Sequence, residues 1–260
     1  SDITLLDNYI SHDNDSTLDL DSFTVESTSK EIIQTLLCSP SPCNILFYGI
    51  AGTGKTEFAR SIVASISNQI LFLKYGSSKD ELRSQSFVHP LERLRTLGIV
   101  NTLLAGNENI LIVDEADFLL NTKEDRYGHR TTADKGYINQ ILDKSHIKII
   151  WISNEVGAME ESTLRRFSYS LRFKAFTEKE RLNIWNTILK DHHKKQFFND
   201  SLITILAKEF KVNAGGIASA LSTMTSYLSA KDSNQGDFET SIKDVLQHHD
   251  ELINGITIKT

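Results

Sequence analysis

The chain has 260 residues, of which 40% are hydrophobic, enough to build one large domain or two smaller ones around their own cores. Its formal net charge of −6 argues against a strongly basic nucleic-acid groove, although a local basic patch can sit within an acidic whole. No apolar run approaches the roughly 20 residues that a membrane helix needs, so no membrane partner is expected.

Residues 1–30 are rich in Asp, Ser and Thr and read as an N-terminal arm or linker, with Leu18, Leu20, Phe23 and Val25 as docking points. Ser1 stands in place of Met, which suggests a processed or excised module of a longer protein. The start carries no charged-then-apolar signal peptide, and a cytoplasmic location is the expectation. The two cysteines, Cys38 and Cys43, flank a proline turn and read as reduced thiols, since no second pair exists to complete a zinc site. His192-His193 and His248-His249 lie among charged residues and lack the i, i+4 spacing of ligands on one helical face.

From residue 31 to residue 174 strand and helix patterns alternate, the signature of an α/β domain with a parallel sheet covered on both faces. Strands are expected at Asn44–Tyr48, Ile70–Tyr75, Asn109–Val113, Ile147–Ile152 and Tyr169–Phe173. Helices are expected at about Lys55–Ser67, Leu91–Ala105 and Ala133–Lys144. From residue 175 to residue 260 the strands stop and a small all-helical lid is expected. Thr177-Glu178-Lys179-Glu180 is a capping box that opens its first helix, and Asp200 or Ser201 caps the second. Gly215-Gly216 precedes a third, and Asp237–Ile253 makes a fourth.

The first strand runs into Gly49-Ile50-Ala51-Gly52-Thr53-Gly54-Lys55-Thr56, a G-x-x-x-x-G-K-T loop, and Glu57 continues the helix beyond it. Strand, glycine turn and helix are the context that makes this spacing a phosphate cradle. Glycines let backbone N–H groups turn around the β- and γ-phosphates, and the helix N-terminus adds partial positive charge. Lys55 can neutralise the phosphates and the Thr56 hydroxyl can ligate Mg²⁺, so ATP and Mg²⁺ are the expected cofactors. Downstream, Ile110-Leu111-Ile112-Val113 ends in Asp114-Glu115. Asp114 is placed to hold Mg²⁺ through its water shell, and Glu115 to accept a proton from the attacking water or orient it. The next strand ends in Asn154, which can hydrogen-bond the γ-phosphate or that water. Arg165-Arg166-Phe167 follows. Asp114-Glu115-Ala116-Asp117 also spells the DEAD-box helicase signature, but no second helicase domain fits after it.

Taken in order, these four motifs resemble those of the AAA+ ATPases, and more closely the AAA subgroup that includes protein-remodelling unfoldases. Residues 147–173 look especially like the second region of homology of uncharacterised bacterial AAA proteins. The resemblance implies a P-loop NTPase sheet in the order 5-1-4-3-2 followed by the helical lid. It implies that Glu115, Asn154, Arg165 and Arg166 are catalytic, the two arginines reaching ATP held by a neighbouring subunit. A ring, most often a hexamer, is therefore expected. It also implies adenine near Phe23–Val25 and the lid glycines, Gly216 among them. The stretch Asn213–Ile217 lacks a sensor 2 arginine, which fits the subgroup. Unfoldases of this kind place aromatic-hydrophobic-Gly after the second strand. Ser86-Phe87-Val88-His89 has His in place of Gly, and Lys74-Tyr75-Gly76 falls at the strand end. Phe87 and Tyr75 therefore read as core or turn residues, with a pore-loop aromatic as the alternative. The leading expectation is an ATP-driven module that remodels a macromolecule, most naturally a protein. The alternative is a nucleic-acid motor or loader ATPase.

Overall fold

Five strands carry the expected parallel sheet: β2 (Asn44–Gly49), β3 (Ile70–Leu73), β4 (Ile110–Val113), β5 (Lys148–Ser153) and β6 (Tyr169–Phe173). The structure is a computed structural model that describes residues 6–15, 17–67, 69–74, 90–106, 108–123, 135–191, 198–212, 214–229 and 235–254. All four residues of β4 and all six of β5 are buried, which is why their sequences are continuous apolar runs rather than alternating ones.

Side chains leave a strand on alternate faces, so each run feeds two cores. Leu46, Leu71, Leu111, Val113, Ile149 and Trp151 pack on one face, against Leu94, Leu97 and Val100 of helix α3 (Pro90–Leu103). The same core holds Ile138, Ile141 and Leu142 of helix α5 (Lys135–Asp143). Ile45, Phe47, Ile110, Ile112, Ile150 and Ile152 pack on the other face, against Ile33 and Leu37 of helix α1 (Ser27–Cys38). Phe58, Ala59, Ile62 and Val63 of helix α2 (Lys55–Ala64) complete that layer. Each fully buried Leu, Ile or Phe here contributes about 1.5–3 kcal/mol. Two short helices follow strands, α4 (Asp117–Leu120) and α6 (Glu161–Leu164).

The parallel strands run β3-β4-β5-β2-β6 across the sheet, which in order of appearance is the implied 5-1-4-3-2. Beyond them lies a strand that the composition of residues 1–30 conceals. Strand β1 (Ile10–Asp13) pairs antiparallel with β3, with Ile10 opposite Leu73 and Asp13 opposite Ile70. The segment expected as an arm therefore supplies an edge strand, and Ile10 is 1% exposed in the core. Asp13 is joined to α2 by Arg60, whose Nε and Nη2 reach its two carboxylate oxygens at 2.6 and 3.0 Å while Nη1 holds Glu57 at 2.7 Å. Burial works against the Asp13 charge, but the Arg60 hydrogen bonds, the Asp15 N–H and the Arg60 charge outweigh it and hold the carboxyl below 3.8. Cys38 and Cys43 are free thiols, and burial pushes Cys43 up to about 11.

The chain divides into two compact units, Ser1–Phe173 and Lys174–Thr260. The second consists of α7 (Glu178–Asp191), α8 (Asp200–Glu209), α9 (Ala214–Ser229) and α10 (Gln235–Asn254). The capping box is reciprocal: Thr177 N–H donates to Glu180 Oε2 at 2.5 Å, and Glu180 N–H to Thr177 Oγ1 at 3.3 Å. Asn199, rather than Asp200 or Ser201, caps α8 by accepting from Leu202 N–H at 2.7 Å. Gly215 and Gly216 fall inside the first turn of α9 rather than before it. The unit closes on Trp185, Leu206, Ile217 and Ile242. Tyr75, Phe87, His192, His193 and Asn213 lie outside the described residues. Among the described residues, no helix is long and apolar enough to cross a membrane.

Candidate active site

Strand order decides which motifs meet. β5 lies between β4 and β2, and all three run parallel, so their C-terminal ends form one edge. Asp114 and Glu115 leave β4, Asn154 leaves β5, and the loop 49–54 leaves β2. Crevices at this edge are where open α/β sheets bind ligands.

The loop depends on its glycines. A Cβ at Gly49 would lie 2.1 Å from the Phe173 carbonyl oxygen, so β2 can approach β6 only without a side chain there. Gly54, at φ 82°, is the left-handed N-cap of α2. Ile50, Ala51 and Gly52 are exposed, whereas Thr53 is buried with its hydroxyl donating to Ile50 O at 2.7 Å. Lys55 is 5% exposed, and its Nζ donates to Gly49 O at 2.7 Å and Ile50 O at 2.8 Å. Burial lowers its pKa, opposed by the carboxylates of Asp117 and Asp114. A buried ammonium over exposed backbone is a position that a bound anion would relieve. Glu57, in the first turn of α2, is engaged by Arg60.

Thr56 Oγ1 donates to Asp114 Oδ2 at 2.9 Å, which brings the tip of the loop to the end of β4. A hydroxyl and a carboxylate side by side form a hard oxygen donor set that fits Mg²⁺. Asp114 Oδ1 accepts the Glu115 N–H at 2.8 Å. Glu115 is exposed and has φ 47°, the single positive φ outside glycine among the described residues. Its carbonyl accepts from Arg93 Nη1 at 2.9 Å, and the Asp114 carbonyl accepts from Arg93 Nη2.

Asp117 is a residue that sequence reasoning passed over. Its Oδ1 accepts from Ser153 Oγ at 2.9 Å, Asn154 N–H at 2.8 Å and Glu155 N–H at 3.1 Å. One carboxylate at the start of α4 thus fixes the backbone that carries the exposed Asn154. Its sequence signal is the final Asp of Asp114-Glu115-Ala116-Asp117.

The two arginines differ. Arg165 is exposed and has no side-chain partner among the described residues. Arg166 pairs with Asp143 Oδ1 at 2.9 Å and donates to Ser162 O. Both follow α6, which is anchored by the fully buried Thr163. Its hydroxyl meets Thr122 Oγ1 at 3.1 Å and Asn139 Oδ1 at 3.0 Å. Gly216 lies in the second unit, in the first turn of α9.

Sheet order and glycine loop together define a P-loop nucleotide-binding fold. Residues 45–175 match the family model described as "ATPase family associated with various cellular activities (AAA)", and the chain belongs to this family. Among solved structures, it is similar to a chain in the HORMA:CdnC:Trip13 complex of E. coli MS115-1. The TM-score is 0.59 over 92% of this chain and 95% of that one. Identity is 14%, so the likeness is one of fold. No curated protein matches the chain.

Proposed function

We propose that the chain binds ATP with Mg²⁺, hydrolyses it, and couples the cycle to remodelling of a macromolecular partner, in a ring whose sites are completed by arginines from the neighbouring subunit. The observation that carries this reading is the meeting of Lys55, the Thr56–Asp114 pair, Glu115 and Asn154 on one edge of the sheet.

Backbone N–H groups from Gly49 to Glu57 would hold the phosphates, with Lys55 neutralising them. Thr56 and Asp114 would hold Mg²⁺, which when bound offsets charge on the transferring phosphoryl oxygens. Glu115 takes the proton of the water that attacks the γ-phosphorus as ADP departs, and Asn154 holds that water or the γ-phosphate. Arg165, exposed and unpaired among the described residues, is the better suited finger in trans. Arg166 would first release Asp143, a partly exposed ion pair of the kind worth about 0–1 kcal/mol. The Phe23–Val25 segment would take the adenine side. A protein partner is favoured by the acidic charge, and the similar solved complex names other proteins beside Trip13.

Phosphate release from ATP tests the reading. Wild type should turn over ATP, Lys55→Ala should lose binding, and Glu115→Gln should bind ATP without turnover. Turnover by Glu115→Gln at the wild-type rate would remove the general base from the account.

A further inference from the structure

We propose that Arg93 is a positioning residue for Glu115, fixing the catalytic carboxylate by holding its backbone in the left-handed conformation; this rests on the ATPase reading above. Consecutive carbonyls of an extended strand point to opposite sides, so no single side chain can bind both. At Glu115 the φ of 47° breaks that alternation. The Asp114 and Glu115 carbonyls then accept from the two terminal nitrogens of one guanidinium, Arg93 Nη2 and Nη1.

Arginine suits this task because its donors form a rigid planar fork, whereas a lysine offers one compact charge. Arg93 is 5% exposed on α3, the helix whose Leu94 and Leu97 lie in the core. A buried guanidinium that lost these carbonyls would be left poorly solvated, so fork and turn stabilise each other. The turn is also held from the other side, where Ala116 N–H donates to Ile152 O at 2.8 Å. Left-handed backbone in a residue with a Cβ persists only where its surroundings hold it, and such residues gather at functional sites. Without the fork, Glu115 relaxes toward ordinary backbone angles and its carboxylate leaves the water. Lys55 and the glycine loop keep their own hydrogen bonds, and the Asp114 side chain keeps Thr56, so nucleotide affinity stays.

The test uses the full chain with Arg93→Lys and Arg93→Met, measuring thermal unfolding, ATP affinity and steady-state turnover. The expected result is a kcat loss of about 100-fold in both variants, the scale of a misplaced catalytic group. KM and ATP affinity should stay within about threefold, and Lys should fail to rescue because charge alone is not what is missing. Wild-type kcat in Arg93→Lys would overturn the proposal. So would a joint fall of kcat, ATP affinity and the unfolding transition in both variants, which marks a merely structural arginine. Glu115→Gln run alongside separates the two readings: if wild type is no faster than Glu115→Gln, the ATPase reading fails and takes this one with it. If wild type is faster and Arg93→Lys matches it, only the positioning role fails.

Discussion

A methyl group added at Gly49 would press on the Phe173 carbonyl, and the φ of 131° is one that side-chain-bearing residues rarely adopt. Gly49→Ala should therefore cost about 1–3 kcal/mol or more, read as a lowered denaturation midpoint. At Asp117 one carboxylate oxygen serves three donors at the end of β5. Asp117→Ala should leave ATP binding in place, reduce turnover through the loosened Asn154, and destabilise by about 1–3 kcal/mol. Unchanged turnover would mean that Asn154 needs no such support. The site was legible in part: Gly49–Thr56, Asp114, Glu115 and Asn154 announce themselves because their spacing along the chain is set by one loop or one strand end. Asp117 and Arg93 do not, since their partners, Asn154 and the carbonyls of Asp114 and Glu115, are near only after the sheet has ordered its strands.

Elements show the same divide between local and non-local causes. Strands β4 and β5 read directly from unbroken apolar runs, and α7 from its capping box. Strand β1 was hidden because Ile10-Ser11-His12-Asp13 carries one core residue and otherwise faces solvent at an edge; its strand character comes from pairing with β3. The Asp13–Arg60 ion pair then ties that edge to the helix of the phosphate loop. Since the folded pKa of Asp13 is lowered, its contribution is complete above 3.8 and is lost as pH falls through the lower folded value. The stability difference between wild type and Asp13→Asn should accordingly hold at neutral pH and shrink below about pH 4. A difference that grew on acidification would contradict the pairing. For α6, Thr163→Val removes the hydroxyl shared with Thr122 and Asn139 and should cost about 1–3 kcal/mol, seen in urea unfolding.

On the scale of the whole molecule, topology turns scattered motifs into a site: β5 between β4 and β2 puts the Asn154 strand between the phosphate loop and the acidic pair. Arg165 stands exposed on the same unit, just after α6. The proposed site is shared between subunits, and a mixing experiment addresses that claim most directly. Arg165→Ala/Arg166→Ala keeps an intact nucleotide site without fingers, while Glu115→Gln keeps its fingers without a base. Each alone should release phosphate at least about 10-fold more slowly than wild type, as expected for loss of either group. Mixed in equal amounts, they should recover part of the wild-type rate, because fingers from one chain complete the site of the other. A mixture no faster than its separate components, or an arginine double variant as fast as wild type, would contradict it.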